Sequence, residues 1–406
     1  MNSSFRSWLR ISFLNLLIVA FLGVILRYKI AFSLPFIDQK NLHHGHSHFA
    51  FFGWITQLLM VLMVYFLQGP SGGTAFKRYR WLLYANLLTA YGMLISFTIQ
   101  GYGIWSIGFS TISALVSYVF AFMFWHDLDG LKNKKISHLW FRAALVFSVL
   151  SSLGAYAEAY MMANKIIHQN WYLAAEYYFL HFQYNGWFFF AGMGLLVSWL
   201  EKISGTVKKL RLVFWLFGLA CVPAYFLSAL WMPIPAIVYW LVVGAAIAQV
   251  AGWIQLVQLI LKNGAFIKTT FCRKGRWLLL LSAIALTAKL LLQLGSTHPA
   301  LSQLAFGFRP IVIGYLHLVL LGVFTIFLVG YIISLQLVPV GKYFGTGVIL
   351  FVSGIIINEV LLMLQGVTGM SYTIVPYMDE LLLLAAVIMF SGIAVMNLNA
   401  RSRKNS

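Results

Sequence analysis

Long apolar runs separated by short polar segments organise this chain from one end to the other. Twelve runs stand out, over about 9–31, 48–68, 80–100, 103–125, 139–161, 173–199, 210–230, 234–261, 276–294, 310–335, 345–366 and 377–398. Each approaches or exceeds the roughly 20 apolar residues that an α-helix needs to cross a bilayer. The runs are long and lack the strict alternation of a membrane barrel, so strands are not expected. The pattern predicts an all-α polytopic membrane protein with twelve transmembrane helices, forming a single integral membrane domain over 1–406.

The polar segments carry the orientation. Basic residues crowd every second connection: Arg6 and Arg10; Lys77, Arg78 and Arg80; Lys132, Lys134, Lys135 and Arg142; Lys202, Lys208, Lys209 and Arg211. The alternation continues with Lys262, Lys268, Arg273, Lys274 and Arg276, then Lys342, then Arg401, Arg403 and Lys404. The opposite side holds only Arg27, Lys29, Lys40, Lys165 and Arg309. Lys and Arg accumulate on the cytoplasmic side, so both termini are expected in the cytoplasm.

Composition supports the same reading. The chain is 61% hydrophobic and 9% charged, where a soluble domain carries roughly 25% charged residues. Too little polar surface remains to face water, and the expected partner of that surface is a lipid bilayer. The net charge of +19 lies in the loop clusters and points to topology, with no nucleic acid partner. The two cysteines, Cys221 and Cys272, form no CxxC and no metal box. Arg6 and Arg10 precede an apolar run without a small-residue cleavage site, so the first run reads as a retained span.

An internal repeat concentrates the chemistry. His48-Phe-Ala-Phe-Phe-Gly53, His181-Phe-Gln-Tyr-Asn-Gly186 and His317-Leu-Val-Leu-Leu-Gly322 share the pattern H-[F/L]-x-x-x-G, in runs 2, 6 and 10. They recur about every 135 residues, a step of four spans, which predicts three pseudo-repeated four-helix units over roughly 1–135, 136–270 and 271–406. All three histidines fall in the outer half of the bilayer on the predicted topology. An imidazole is costly in lipid, so such a residue faces the protein interior with a partner. A single one is commonly bonded to a neighbouring carbonyl; three at equivalent positions point to ligation of a transition metal or haem iron. The glycine five residues on suits either close approach of a flat macrocycle or plain helix packing.

Other polar residues add candidates. The run His43-His44-Gly-His46-Ser-His48 could bind copper or zinc, with His44 and His46 as ligands beside His48, or could be loop histidines before a haem ligand. If helix begins near His44, then His44 and His48 share a face and His46 points elsewhere; an extended run would align all three. Arg309, eight residues before His317, suits a haem propionate or an interfacial anchor. Tyr184, three residues after His181, could face the same way on a regular helix. Glu158, Glu176 and Glu359 are intramembrane acids, and Lys289 is the cation available to pair with one of them.

These residues carry a resemblance. Twelve spans with histidines in spans 2, 6 and 10 resemble the catalytic subunit (subunit I) of the haem-copper oxidases, a superfamily that includes the nitric oxide reductases. Gly314-Tyr-Leu-His-Leu-Val-Leu-Leu-Gly322 looks like its span-10 motif, and His46-Ser-His-Phe-Ala-Phe-Phe-Gly53 looks like its span-2 haem-ligand motif. The resemblance implies His48 and His317 as axial ligands of a low-spin haem and His181 as a ligand of copper or another transition metal. It puts Tyr315 where the family has its high-spin haem ligand. Span 7 holds no histidine, so the usual copper-site pair is missing. The implied protein is a divergent member in a bacterial inner membrane, in electron transfer or in oxygen or nitric oxide handling. It would take electrons from an external donor or other oxidase-like subunits, because the chain has no CxxCH. A second twelve-span family, implicated in nitric oxide response, is similar in its histidine-rich helices.

Two further readings stand beside this one. Twelve spans with both ends inside is also the plan of many secondary transporters, whose halves repeat after six spans rather than four. The outer histidine run could alternatively serve a copper- or zinc-handling protein without haem.

Overall fold

The computed structural model describes residues 3–69, 73–302, 308–338, 341–371 and 373–399, so Arg401, Arg403 and Lys404 lie outside the described residues. No strand occurs among the described residues. The main helices are α1 (Ser3–Ala31), α2 (Gln39–Gln68), α3 (Ala75–Gln100), α4 (Ile104–Asp129), α5 (Ile136–Ala163) and α6 (169–200). They continue with α7 (207–229), α8 (Ala236–Lys262), α9 (Arg273–Gly295), α10 (Arg309–Ser334), α11 (Phe344–Met370) and α12 (Met378–Asn399).

Ten of these helices are long and apolar enough to cross a membrane. α7 is an eleventh if its two halves, Val207–Cys221 and Pro223–Ala229, are one span bent by 46°. Pro223 supplies the break, because proline has no N–H to continue the helix. α6 is not among the ten. It is continuous helix, but Glu176, His181, Gln183 and Asn185 dilute its apolar content. The chain is therefore a helical membrane-spanning protein, with ten or eleven crossings by length and apolarity among the described residues, against the twelve expected.

The three histidine motifs share a backbone form. In α2, α6 and α10 the residue after the motif histidine begins a π-helical stretch: Phe49–Thr56, Phe182–Phe188 and Leu318–Thr325. A π-turn bonds i to i+5 and widens the helix, which is costly and recurs at functional sites. Away from water, any carbonyl freed by the wider turn needs a partner from a neighbouring helix. In α2, Asn15 of α1 donates to the Gly53 carbonyl at 2.6 Å and Asn86 of α3 donates to that of Phe52 at 3.1 Å. In α10, Ser282 of α9 donates to the Val323 carbonyl at 2.8 Å, and Thr325 donates to that of Leu320 at 2.8 Å. In α6 the corresponding contact is weaker, from the Cys221 thiol to the Asn185 carbonyl at 3.7 Å.

The chain divides into two compact units. One comprises Met1–Phe120 with Leu335–Ser406, the other Ala121–Ser334. Residues 273–334 thus group with the middle of the chain, while 335–406 group with its beginning. In the first unit α12 closes on α11 through small residues: a Cβ at Gly347 would lie 2.7 Å from the Gly392 carbonyl. α12 also packs on α1, where Asn397 donates to the Phe13 carbonyl at 3.1 Å. In the second unit α5 and α6 are in backbone contact at Gly154, where a Cβ would lie 2.5 Å from the Ala175 carbonyl and 2.7 Å from the Phe179 nitrogen. Trp140 anchors an aromatic cluster there with Phe190 and Phe214, at centroid distances of 5.1 and 5.3 Å.

Candidate functional site

The histidine-rich run is helical. Asp38 caps it by accepting from the Asn41 N–H at 2.8 Å, so the helix is established well before His44. His44 and His48 consequently share a face, and both meet Phe97 of α3. His48 lies flat on Phe97, with centroids 4.2 Å apart and planes at 7°, and Phe52 is nearly parallel at 6.3 Å. Its ring is half-buried and held by aromatic stacking. His44 packs edge-on to Tyr102 at 4.8 Å, and its Nε2 is buried without a hydrogen bond. His46 points elsewhere, towards α1, with its Cε1 near Gly23. His44, His46 and His48 do not converge, and no group of three His, Cys, Asp or Glu side chains suited to a metal forms among the described residues.

His181 is buried within a directional polar chain. Its Nε2 lies 2.8 Å from the Cys221 carbonyl, which can only accept, so Nε2 carries the proton. Nδ1 is then the acceptor, and Asn185 donates to it at 3.1 Å. The Asn185 oxygen accepts in turn from the Lys289 ammonium at 2.6 Å. Both His181 nitrogens are engaged, so binding a metal there requires breaking one of these bonds. The partner is Asn185 at i+4 and not Tyr184 at i+3, in keeping with the wider π-turn.

His317 is half-buried at the end of the α-helical part of α10. Its Nδ1 donates to the Ile313 carbonyl one turn back, at 2.8 Å. This fixes the tautomer and leaves Nε2 as the basic nitrogen, the arrangement that suits a ligating imidazole. Two residues earlier, Tyr315 and Tyr184 are electrostatic neighbours across α10 and α6. Phe188 and Phe324, one in each π-turn, meet edge-on at 5.6 Å along the same seam. Arg309 is exposed in the first turn of α10.

The motif glycines face side chains. A Cβ would lie 2.6 Å from the Phe49 ring at Gly53, 2.5 Å from the Phe147 Cβ at Gly186, and 3.2 Å from the Ala285 Cβ at Gly322. At Gly186 and Gly322, which face α5 and α9, this geometry supports helix packing, whereas Gly53 makes room for the Phe49 ring of its own helix. The intramembrane acids also find different company from that expected. Lys289 pairs with Asn185, whereas Glu359 accepts from Asn358 at 3.1 Å and interacts electrostatically with Arg27. Glu158 and Glu176 are electrostatic neighbours on α5 and α6.

Several site residues escaped the sequence reading. Asn15, Asn86 and Ser282 support the π-turns from other helices, and Gln249 lines a cavity beside Lys289. An amide inside an apolar run was the available signal for Asn15, Asn86 and Gln249; Ser282 gave none, because serine is common in membrane helices. Compared with known proteins, the chain matches no protein-family model and no curated protein.

Proposed function

We propose that this chain is a membrane haem protein of the oxidase-like type, in which His48 and His317 are axial ligands of a low-spin haem. The observation that carries the reading is the threefold placement of a histidine at the mouth of a π-turn. The chemistry of each residue, taken separately, suits the group. His317 holds its proton on Nδ1 against Ile313, so Nε2 is the unprotonated nitrogen of that tautomer. His48 is oriented by Phe97 and Phe52, and stacking leaves its ring nitrogens for an iron. Arg309 suits a propionate by charge and position at the start of α10. When bound, the haem supplies a one-electron couple. The protein contributes ligand orientation and a surrounding of low dielectric, which tune the potential of such a couple.

The finer topology belongs to the same proposal: twelve spans in three four-helix units, both termini cytoplasmic, in a bacterial inner membrane. With both His181 nitrogens committed to Asn185 and Cys221, electron transfer through one closed haem is favoured over a second metal centre. The test is the visible spectrum of the purified protein after haem-replete expression. His48→Ala and His317→Ala each abolish the six-coordinate low-spin spectrum, whereas His181→Ala spares it. A wild-type protein without a Soret band, or retention of that spectrum in both ligand variants, overturns the assignment.

A further inference from the structure

Segments 127–142, 201–211 and 262–276 join successive helices of the second unit, and the structure brings them together at one end of it. Glu201 accepts from the Ser137 N–H at 3.0 Å and from its hydroxyl at 2.8 Å, which ties the second segment to the first. The Trp199 ring, just before the second segment, meets Phe271 of the third at 6.1 Å. The Cys272 N–H donates to the Ser334 carbonyl at 3.1 Å and fixes the third segment to the end of α10. These contacts crowd charge of one sign. The segments carry thirteen lysines and arginines against three acids, too few to neutralise them. The acids are also engaged already: Glu201 with Ser137, Asp129 with Arg142, and Asp127 with His126 at 3.7 Å. The other end of the same unit, over 158–176, 230–235 and 295–309, has two charged groups of each sign.

Tryptophan marks the depth of these cations. Indole rings gather at the boundary between hydrocarbon and headgroups, because one end of the ring is apolar and the other suits water. The Lys202 ammonium lies over the Trp199 ring at 3.5 Å, and the Arg142 guanidinium over that of Trp125 at 5.4 Å. Trp215 follows Arg211 and Trp277 follows Arg273 at i,i+4, on the same helix face. Trp125, Trp215 and Trp277 are exposed, so their rings face lipid. The neighbouring cations therefore sit at headgroup level and not out in bulk water. Lys202 is held below the usual lysine range, first by desolvation and then by the nearby Lys135. An anion arriving there relieves the repulsion.

We propose that this end of the second unit is a docking surface for the headgroups of anionic phospholipids, in which no amine balances the phosphate. The phosphate accepts from the lysines and arginines, and the acyl chains lie along the apolar helices whose tryptophans flank those cations. Charge complementarity and depth together select the lipid, because its phosphate is the anion that lies at the level of the indole rings. The surface is independent of the haem reading, since neither His48 nor His317 contributes to it.

The test reconstitutes the full-length protein in phosphatidylcholine bilayers. Electron paramagnetic resonance then measures how spin-labelled phosphatidylglycerol and spin-labelled phosphatidylcholine enter the motionally restricted shell at the protein. Both lipids carry a phosphate and they differ in net charge, so the ratio of their association isolates the charge. At low salt phosphatidylglycerol is favoured by roughly two- to fivefold averaged over the shell, the upper figure being the factor that one cation near the surface supplies. The preference shrinks in ~1 M potassium chloride, where the Debye length is ~3 Å. The combined variant Lys202→Gln, Arg211→Gln, Arg273→Gln and Lys274→Gln loses most of it, whereas Lys165→Gln at the other end keeps it. Inorganic phosphate, exchanged for chloride at constant ionic strength, leaves the preference in place. Equal association of the two lipids with the wild type at low salt overturns the proposal. So does a preference that survives undiminished in the folded combined variant, which places the anionic lipid elsewhere, or one that inorganic phosphate abolishes, which assigns the surface to the free anion.

Discussion

Replacing Asn15 with alanine tests whether the π-turn after His48 depends on a partner from another helix. Asn15 is fully buried and makes two hydrogen bonds. Its amide N–H reaches the Gly53 carbonyl at 2.6 Å, and its oxygen accepts from the Tyr91 hydroxyl at 2.8 Å. The variant strands a buried carbonyl, which costs about 1–3 kcal/mol. Tyr91 is half-buried and can turn towards other partners, so its loss adds at most ~1 kcal/mol. Hydrogen bonds between membrane helices average only ~0.6 kcal/mol, which pulls the sum towards the lower end. The expected destabilisation is therefore roughly 2 kcal/mol, with Tyr91→Phe below ~1 kcal/mol. Reversible unfolding of the purified protein in mixed micelles, followed by circular dichroism, measures both. The relaxed π-turn also rotates the helix before it, so a haem spectrum that depends on His48 should broaden in Asn15→Ala. A variant within ~0.3 kcal/mol of wild type, well inside the single-bond range, would falsify the argument that the freed carbonyl needs this asparagine.

Two further substitutions probe the second unit. Gly154→Ala places a Cβ against the Ala175 carbonyl and the Phe179 nitrogen, backbone atoms that cannot swing aside, so α5 and α6 must separate at a cost of roughly 1–3 kcal/mol; thermal unfolding that matches wild type would refute that contact. Tyr184 and Tyr315 interact across α6 and α10, so the double variant Tyr184→Phe, Tyr315→Phe should fall short of the sum of the singles by about 0.5–1.5 kcal/mol; strict additivity in a double-mutant cycle would show that the hydroxyls are not coupled.

The apolar runs determine by themselves that this is a helical membrane protein, because a bilayer leaves few alternatives to a long apolar helix. They locate most of the twelve helices to within a few residues, although α2 begins at Gln39, nine residues before its apolar run. Length and apolarity alone count fewer crossings among the described residues than the twelve runs, because a helix such as α6 can contain Glu176, His181, Gln183 and Asn185 and still be helical where neighbours satisfy it. The recurrence of His48, His181 and His317 is legible as a repeat, and His44 beside His48 on one face follows from helical spacing. What no spacing rule reveals is the π-turn after each histidine, since Phe-Ala-Phe-Phe-Gly and Leu-Val-Leu-Leu-Gly read as ordinary helix. That form depends on Asn15, Asn86 and Ser282, donors that arrive from other helices far away in the chain. Tertiary structure likewise decides that Lys289 meets Asn185 rather than an acid, and that His181 spends both nitrogens on its neighbours. Sequence fixes which groups are too polar for lipid; only packing selects the partner that makes each one tolerable, because hydrogen bonds act over about 3 Å and are blind to separation along the chain.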